Sequence, residues 1–144
     1  MLFQTRLLQA TLIRRYKRFL ADIRFDNGWE ARAHCPNTGS MLGLQEKGSK
    51  IWVEPNNDPN RKLSFGWRLV ELRDGTHVCI DTSIANKIIK EALEERVIGG
   101  LSKYNSLKSE VRTANKSRMD FGLYNQLNEL ETLIEVKSVT LKRN

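Results

Sequence analysis

The sequence predicts an α+β protein in two parts, an all-β half up to about residue 81 and a helix followed by strands beyond it. Two observations carry this. Short apolar runs with period-two alternation, separated by Asn-Gly and Asp-Gly turns, fill the first half. From Asp81 the apolar spacing lengthens to that of a helix and then returns to strand texture. A length of 144 residues suits one ordinary domain or two small ones, and 40% hydrophobic with 28% charged residues excludes a disordered or fibrous chain.

The β-half is read from its alternation. Phe19, Ala21, Ile23 and Phe25 alternate with polar residues that include Asp22 and Arg24. Asp26-Asn27-Gly28 is turn chemistry, because Asn and Gly tolerate positive φ. Trp29, Ala31 and Ala33 then alternate with Glu30, Arg32 and His34, completing a hairpin. Cys35 to Gly39 reads as a loop and Ile51 to Val53 as a short strand. Pro55 to Lys62 is a Pro- and Asn-rich loop ending in Arg61-Lys62. Phe65 to Arg73 and Val78 to Ile80 flank Asp74-Gly75 as a second hairpin. Several short strands with frequent turns point to a small closed barrel of the OB-fold kind over residues 1–81.

In the second half, over residues 82–144, Ile84, Ile88 and Ala92 recur at i, i+4, as do Ala85, Ile89 and Leu93. This is an amphipathic helix, with Asp81, Thr82 or Ser83 to cap its start and Gly99-Gly100 to stop the chain after it. Leu107 to Arg112, Arg118 to Leu123 and Thr132 to Leu141 read as strands.

The net charge of +7 favours polyanionic partners, nucleic acid first and an anionic membrane surface second. The two cysteines, Cys35 and Cys79, form no disulfide framework, and a reducing cytoplasm fits them. Arg6 breaks the first apolar run and Arg14, Arg15, Lys17 and Arg18 follow, which excludes a secretory signal, although an Arg-rich start also resembles a mitochondrial transit peptide. No run approaches the ~20 apolar residues of a membrane-spanning helix. His34, Cys35, His77 and Cys79 do not read as a zinc site, since His34 and Cys35 would point to opposite faces and no CxxC spacing occurs.

Two constellations could carry function. Arg14, Arg15, Lys17 and Arg18 surround Tyr16; such cations can follow a phosphate backbone while the ring stacks on a base. Arg61 and Lys62 extend this basic set. The plainer reading is a solvated strand face. The second is chemical. Glu135 and Lys137, two apart on a strand, face the same side, and Asp120 sits in the preceding strand-like stretch. An acid followed by Glu-x-Lys is the pattern of metal-dependent PD-(D/E)xK nucleases. Mg²⁺ prefers hard oxygen ligands such as Asp120 and Glu135, lowers the pKa of a bound water and offsets charge at phosphorus, with Lys137 orienting that water. Glu91 on the helix is a further acid of the kind some nucleases of this class place there. A Glu-x-Lys pair on a solvent-facing strand is the plainer alternative.

Several stretches together resemble the signature blocks of the sugar fermentation stimulation protein A (SfsA) family, in the family order: Arg15 to Asp22, His34 to Met41, Ser106 to Val111, Arg118 to Phe121 and Ile134 to Leu141. The resemblance spans about Ala10 to Leu141. It implies an N-terminal OB-fold, a C-terminal PD-(D/E)xK-like domain, DNA binding and a bacterial role in regulating sugar metabolism, notably that of maltose. It carries Asp120, Glu135 and Lys137 over as the nuclease-like positions, with Glu91 less directly, and Mg²⁺ or Mn²⁺ as the cofactor of any catalysis. The family continues well past the Glu-x-Lys stretch, so the nuclease-like domain is expected to be incomplete here. An incomplete sheet would leave an open edge and apolar surface. The expected function is therefore DNA binding, with a Mg²⁺-dependent nuclease or a non-enzymatic, dimerising interaction domain as the alternatives.

Overall fold

The computed structural model describes residues 2–113 and 117–142; Arg143 and Asn144, the last residues of the expected second domain, lie outside them. By internal contact the chain forms two units, one of residues 2–82 with the tail from 139, the other of residues 83–138.

The first unit is a closed barrel. Its strands are β1 (Leu8–Tyr16), β2 (Leu20–Arg24), β3 (Glu30–His34), β4 (Lys50–Pro55), β5 (Phe65–Glu71) and β6 (His77–Cys79). They hydrogen-bond in the order β3-β2-β1-β4-β5-β6, and a parallel β3–β5 pairing closes the ring. The circuit β1-β2-β3-β5-β4-β1 is the topology of an OB-fold. The expected hairpin turns hold: Gly28 has φ +83° and Gly75 +83°, and the Phe25 N–H donates to the Trp29 carbonyl at 2.9 Å.

Alternation fills the barrel as the pattern requires. Leu12 opposes Ile23, Ala21 opposes Ala33 and Ala10 opposes Ile51, and all six are buried. Phe19 differs from expectation. It lies in the three-residue turn before β2 and is 50% exposed. β1, the longest strand of the barrel, lacks period-two alternation along its whole length, because an extra residue at Ile13 shifts the register between Leu12 and Arg14 and breaks the alternation.

A second irregularity falls at Arg68, between the pairs Trp52–Leu69 and Val53–Trp67. It re-aims the guanidinium, whose Nε donates to Glu54 Oε2 at 2.9 Å and whose Nη1 donates to Asp81. Glu54 and Asp81 are buried, so these are pairs withdrawn from water. The tail returns to the same unit. Asn37 Nδ2 donates to the Ile80 carbonyl and to Thr140 Oγ1, both at 2.9 Å. The Lys142 N–H donates to the Leu42 carbonyl at 2.8 Å. Gly43 permits this approach, since a Cβ there would lie 2.8 Å from the Lys142 carbonyl oxygen.

The second unit holds α1 (Thr82–Glu94), which starts at Thr82 in the barrel unit, and an antiparallel sheet of β7 (Ser106–Arg112), β8 (Arg118–Tyr124) and β9 (Leu130–Ile134), in that order. Leu93, Phe121 and Leu123 form its core, with Ile89, Leu107 and Ile134 packed around them. Of the two apolar rows of the helix, the Ala85–Ile89–Leu93 row packs inward at Ile89 and Leu93, whereas Ile88 is 47% exposed. The helix stops before Gly99-Gly100. Arg96 takes a left-handed φ of +59°, its N–H donates to the Leu93 carbonyl, and the Val97 N–H donates to that of Ala92. This is a Schellman cap built on an arginine. Its conformational cost is offset by two carbonyls, Ser102 and Tyr104, that accept from the guanidinium, and by the Tyr104 ring 4.4 Å from it.

β9 ends at Ile134, not at Leu141, because the Val136 N–H donates to a side chain, Asp120, rather than to a neighbouring strand. Leu130 and Leu133 on this strand are 43% and 39% exposed. Among the described residues no helix is long and apolar enough to cross a membrane, which says nothing of a β-barrel.

Candidate nucleic-acid surface and acidic centre

The register shift at Ile13 sorts the basic residues of β1. Residues directly opposite in a sheet share a face. Arg14 opposes Asp22 and Tyr16 opposes Leu20, on the outer face; Arg15 opposes Ala21, whose side chain is in the core. Arg15 is therefore a strut at the barrel's end. Its Nε donates to the Arg18 carbonyl at 2.9 Å, and its Nη2 donates to the Asn37 and Gly39 carbonyls at 2.7 and 2.9 Å. Gln45 Oε1 accepts from Nη1 at 3.2 Å.

On the outer face Arg14 donates to Asp22 at 2.7 Å, the Tyr16 hydroxyl donates to it at 3.0 Å, and Arg32 lies 3.4 Å away. Both guanidiniums flank the Tyr16 ring, at 4.8 and 5.7 Å. Partial burial pushes the Asp22 carboxyl up, but the hydrogen bonds from Arg14, Tyr16 and Arg32 together outweigh it and hold the group below its ordinary value. Burial and the bond to Asp22 raise the Tyr16 phenol.

Lys17 and Arg18 form the β1–β2 turn with φ of +49° and +65° and are exposed. Arg61 and Lys62 lie in the β4–β5 loop, also exposed; Arg61 is 3.7 Å from Asp58. Among the described residues Lys17, Arg18 and Lys62 make no ion pair. OB-folds commonly bind oligonucleotides across strands 2–3 and with the 1–2 and 4–5 loops. In this barrel those two loops carry Lys17-Arg18 and Arg61-Lys62.

His34 is exposed and Cys35 buried, on opposite faces of the chain. Burial and the charge of Arg68 lower the His34 pKa, and burial raises the Cys35 and Cys79 thiols.

The acidic centre lies in the second unit. Asp120, half-buried on β8, accepts the Val136 N–H on Oδ2 and the Asn86 side-chain amide on Oδ1, each at 2.7 Å. The acid is thus fixed beside the Glu135–Val136 peptide. Glu135 and Lys137 follow β9, point the same way and are ion-paired with each other; their side chains are 48% and 73% exposed. The structure so brings Asp120 to the Glu-x-Lys stretch.

Glu91 stands elsewhere on the helix. Five residues separate it from Asn86, about 140° around the axis, so the helix presents Asn86 to Asp120. Among the described residues no group of three or more His, Cys, Asp or Glu side chains is placed to hold a metal ion.

Two residues near the centre escaped the sequence reading. One is Asn86. The other is Glu110, which stands opposite Asp120 between the pairs Ser109–Phe121 and Val111–Met119, has a left-handed φ of +56°, and lies 3.5 Å from Arg118. Asn86 lies in no motif, and Glu110 falls within the Ser106 to Val111 stretch without being singled out in it. Behind the centre, Gly122 is held to glycine by packing: a Cβ would meet Val111 Cγ2 at 2.9 Å and Leu130 Cδ1 at 3.0 Å.

A closed OB barrel is followed by a helix-and-sheet unit in which Asp120 is held beside the Glu-x-Lys stretch, which defines a two-part α+β protein. Residues 13–80 match the SfsA N-terminal OB domain and residues 83–144 the sugar fermentation stimulation protein RE domain. The chain belongs to the sugar fermentation stimulation protein family. It is 51% identical to the homologues of Ruegeria pomeroyi and Dinoroseobacter shibae, over 99% of its own length and 62% and 59% of theirs. It is 44% identical to that of Pseudoalteromonas atlantica, over 98% of this chain and 60% of that one. The chain therefore spans about three-fifths of these relatives. The Pyrococcus furiosus SfsA structure, solved in complex with Ca²⁺, shares the fold with a TM-score of 0.72 at 22% identity, covering 88% of this chain and 53% of that one.

Proposed function

We propose that this chain is a DNA-binding protein that acts in the regulation of sugar metabolism, maltose included, as its family resemblance implies. One observation carries the DNA-binding reading: Lys17, Arg18 and Lys62, exposed and without an ion pair among the described residues, stand on the two loops that OB-folds use for oligonucleotides. These side chains track phosphates, while Arg14 and Arg32 hold Tyr16 upright between them on the outer face. The test is a salt titration of binding to a DNA duplex and a single strand. A log–log slope near −0.9 for each duplex phosphate contact supports the reading; affinity independent of salt rejects it.

A second reading, Mg²⁺-dependent phosphodiester cleavage, is favoured by the contact between Asp120 and the Val136 N–H. The donors present fit such an ion. Mg²⁺ commonly takes one or two carboxylates with water and phosphate completing its shell, and Asp120 and Glu135 supply that number. The Pyrococcus furiosus SfsA structure was solved in complex with Ca²⁺, also a divalent cation that takes oxygen ligands. Bound there, the ion would supply a water of lowered pKa and offset charge on the phosphate oxygens. Asn86 and the Val136 N–H keep the Asp120 carboxylate from turning. Lys137, paired with Glu135, keeps a positive charge beside the reacting phosphate. Plasmid and single-strand DNA incubated with Mg²⁺ or Mn²⁺ test this: cleavage lost in Glu135→Ala supports it, and cleavage unchanged in that variant rejects the assignment.

A further inference from the structure

We infer that Trp29 is a stacking platform for an unpaired base, so that the barrel takes single-stranded DNA at the end where β2 turns into β3. This rests on the DNA-binding reading above and narrows it to a strand state and a contact.

Three aromatic rings meet at that end. Trp29 lies almost parallel to Phe25, with ring centroids 5.1 Å apart and planes at 13°. Phe65 stands 5.2 Å from Phe25 and 5.6 Å from Trp29, the latter at 70°. Phe25 and Phe65 pack on the barrel core and close its end. Trp29 rests on them from outside and is 55% exposed. Core closure therefore accounts for the two phenylalanines and not for the indole. The main chain that carries the indole is also held in place. The Phe25 N–H donates to the Trp29 carbonyl at 2.9 Å, and the Trp29 N–H donates to Asn27 Oδ1 at 3.0 Å. A planar ring fixed by a tight hairpin, backed on one face and open to solvent, can receive another flat ring with little loss of side-chain freedom.

The surrounding charges suit a phosphate chain. Phe65 follows directly on the loop that holds Arg61 and Lys62, and Lys62 has no acidic partner among the described residues. Of Asp26, Glu30 and Asp58, acids near these rings in the sequence, Glu30 is already paired with Arg24 at 2.8 Å and Asp58 with Arg61 at 3.7 Å. A duplex keeps its base faces stacked within the helix, so an indole can take only a base that is unpaired. Base–aromatic stacking of this sort is tolerant of sequence.

The test uses the full chain and three probes of equal length: oligothymidylate, the same strand with abasic sites throughout, and a DNA duplex. Trp29→Ala should weaken oligothymidylate binding about tenfold or more and leave the abasic strand and the duplex unchanged. Trp29→Phe, which keeps a π face, should retain most of the affinity. Trp29→Leu, which keeps apolar cover over Phe25 without a π face, should lose as much as Trp29→Ala; it also serves where the alanine variant unfolds. Equal losses on all three probes, or no loss on oligothymidylate, would overturn the stacking role while DNA binding stands. Failure of the unaltered protein to bind any probe at low salt would overturn the DNA-binding reading, and this inference with it.

Discussion

The Asp120 carboxylate accepts the main-chain N–H of Val136 at 2.7 Å, so the acid of β8 is clamped to the peptide that follows Glu135. One residue thereby serves both structure and the proposed chemistry, and the two roles can be separated.

Asp120→Ala should cost about 1–3 kcal/mol of stability, because the half-buried Val136 N–H and the Asn86 amide lose their acceptor. Glu135→Ala, at an exposed position, should change stability by no more than about 0.5 kcal/mol. Both should abolish metal-dependent cleavage if the centre is catalytic. Denaturant unfolding beside a plasmid-nicking assay checks this, and a Glu135→Ala variant that is as unstable as Asp120→Ala would contradict it.

The basic residues of β1 and its turn should divide in the same manner. Arg15→Ala removes a guanidinium that four or more acceptors share, and should lower stability by about 1–3 kcal/mol. A Lys17→Ala, Arg18→Ala double variant should unfold like the parent. Its salt slope for duplex DNA should shrink by about 2, one counterion for each lost phosphate contact. A parental slope in the double variant would remove this turn from the interface.

Arg68 neutralises two buried carboxylates at once. Arg68→Met leaves Glu54 and Asp81 without their shared cation and should cost about 3–5 kcal/mol. Arg68→Met unfolding within 1 kcal/mol of the parent, measured by denaturant titration, would mean that the pairs contribute little.

Asp22 predicts a pH dependence. Its carboxyl is held below the ordinary value, so the folded form binds its proton less readily than the unfolded chain does. Its contribution is complete above the ordinary Asp value of about 4 and is lost as the pH falls through the lower, folded-state value. Asp22→Asn should flatten that part of the acid-unfolding curve and leave the profile between pH 5 and 8 parallel to that of the parent. An unchanged acid limb would show that the Arg14–Tyr16–Arg32 cluster does not act through this charge.

Much of the molecule was legible in the sequence because local pattern and tertiary structure agree. The Asp26-Asn27-Gly28 hairpin, the β5–β6 hairpin and the helix that begins near Asp81 follow from residues close in the chain. What failed did so where one residue or one distant contact overrode the pattern. Ile13 hides β1 by adding a residue to the alternation and sends Arg15 to the other face. Arg96 ends the helix at Glu94, five positions before Gly99, because Tyr104 and the Ser102 carbonyl support its left-handed backbone. In the candidate site, residue type and spacing singled out Asp120 and the Glu135-x-Lys137 stretch, which the Asp120–Val136 bond places side by side. Asn86 was not, since only the meeting of α1 and β8 brings it to Asp120.

The bond from Asn37 to Thr140 joins residues 103 positions apart in the chain. The helix-and-sheet unit is therefore an insertion between the last strand of the barrel and the tail that returns to it. During synthesis the barrel strands leave the ribosome before the helix-and-sheet unit and have every backbone partner they need for the ring. The Asn37 amide, buried beneath the loop that Arg15 holds, acquires its second acceptor only once residue 140 has been made. Full satisfaction of the Asn37 amide thus waits on a residue made 103 positions later, and translation halted between the two would leave the barrel with one inner donor lacking that acceptor.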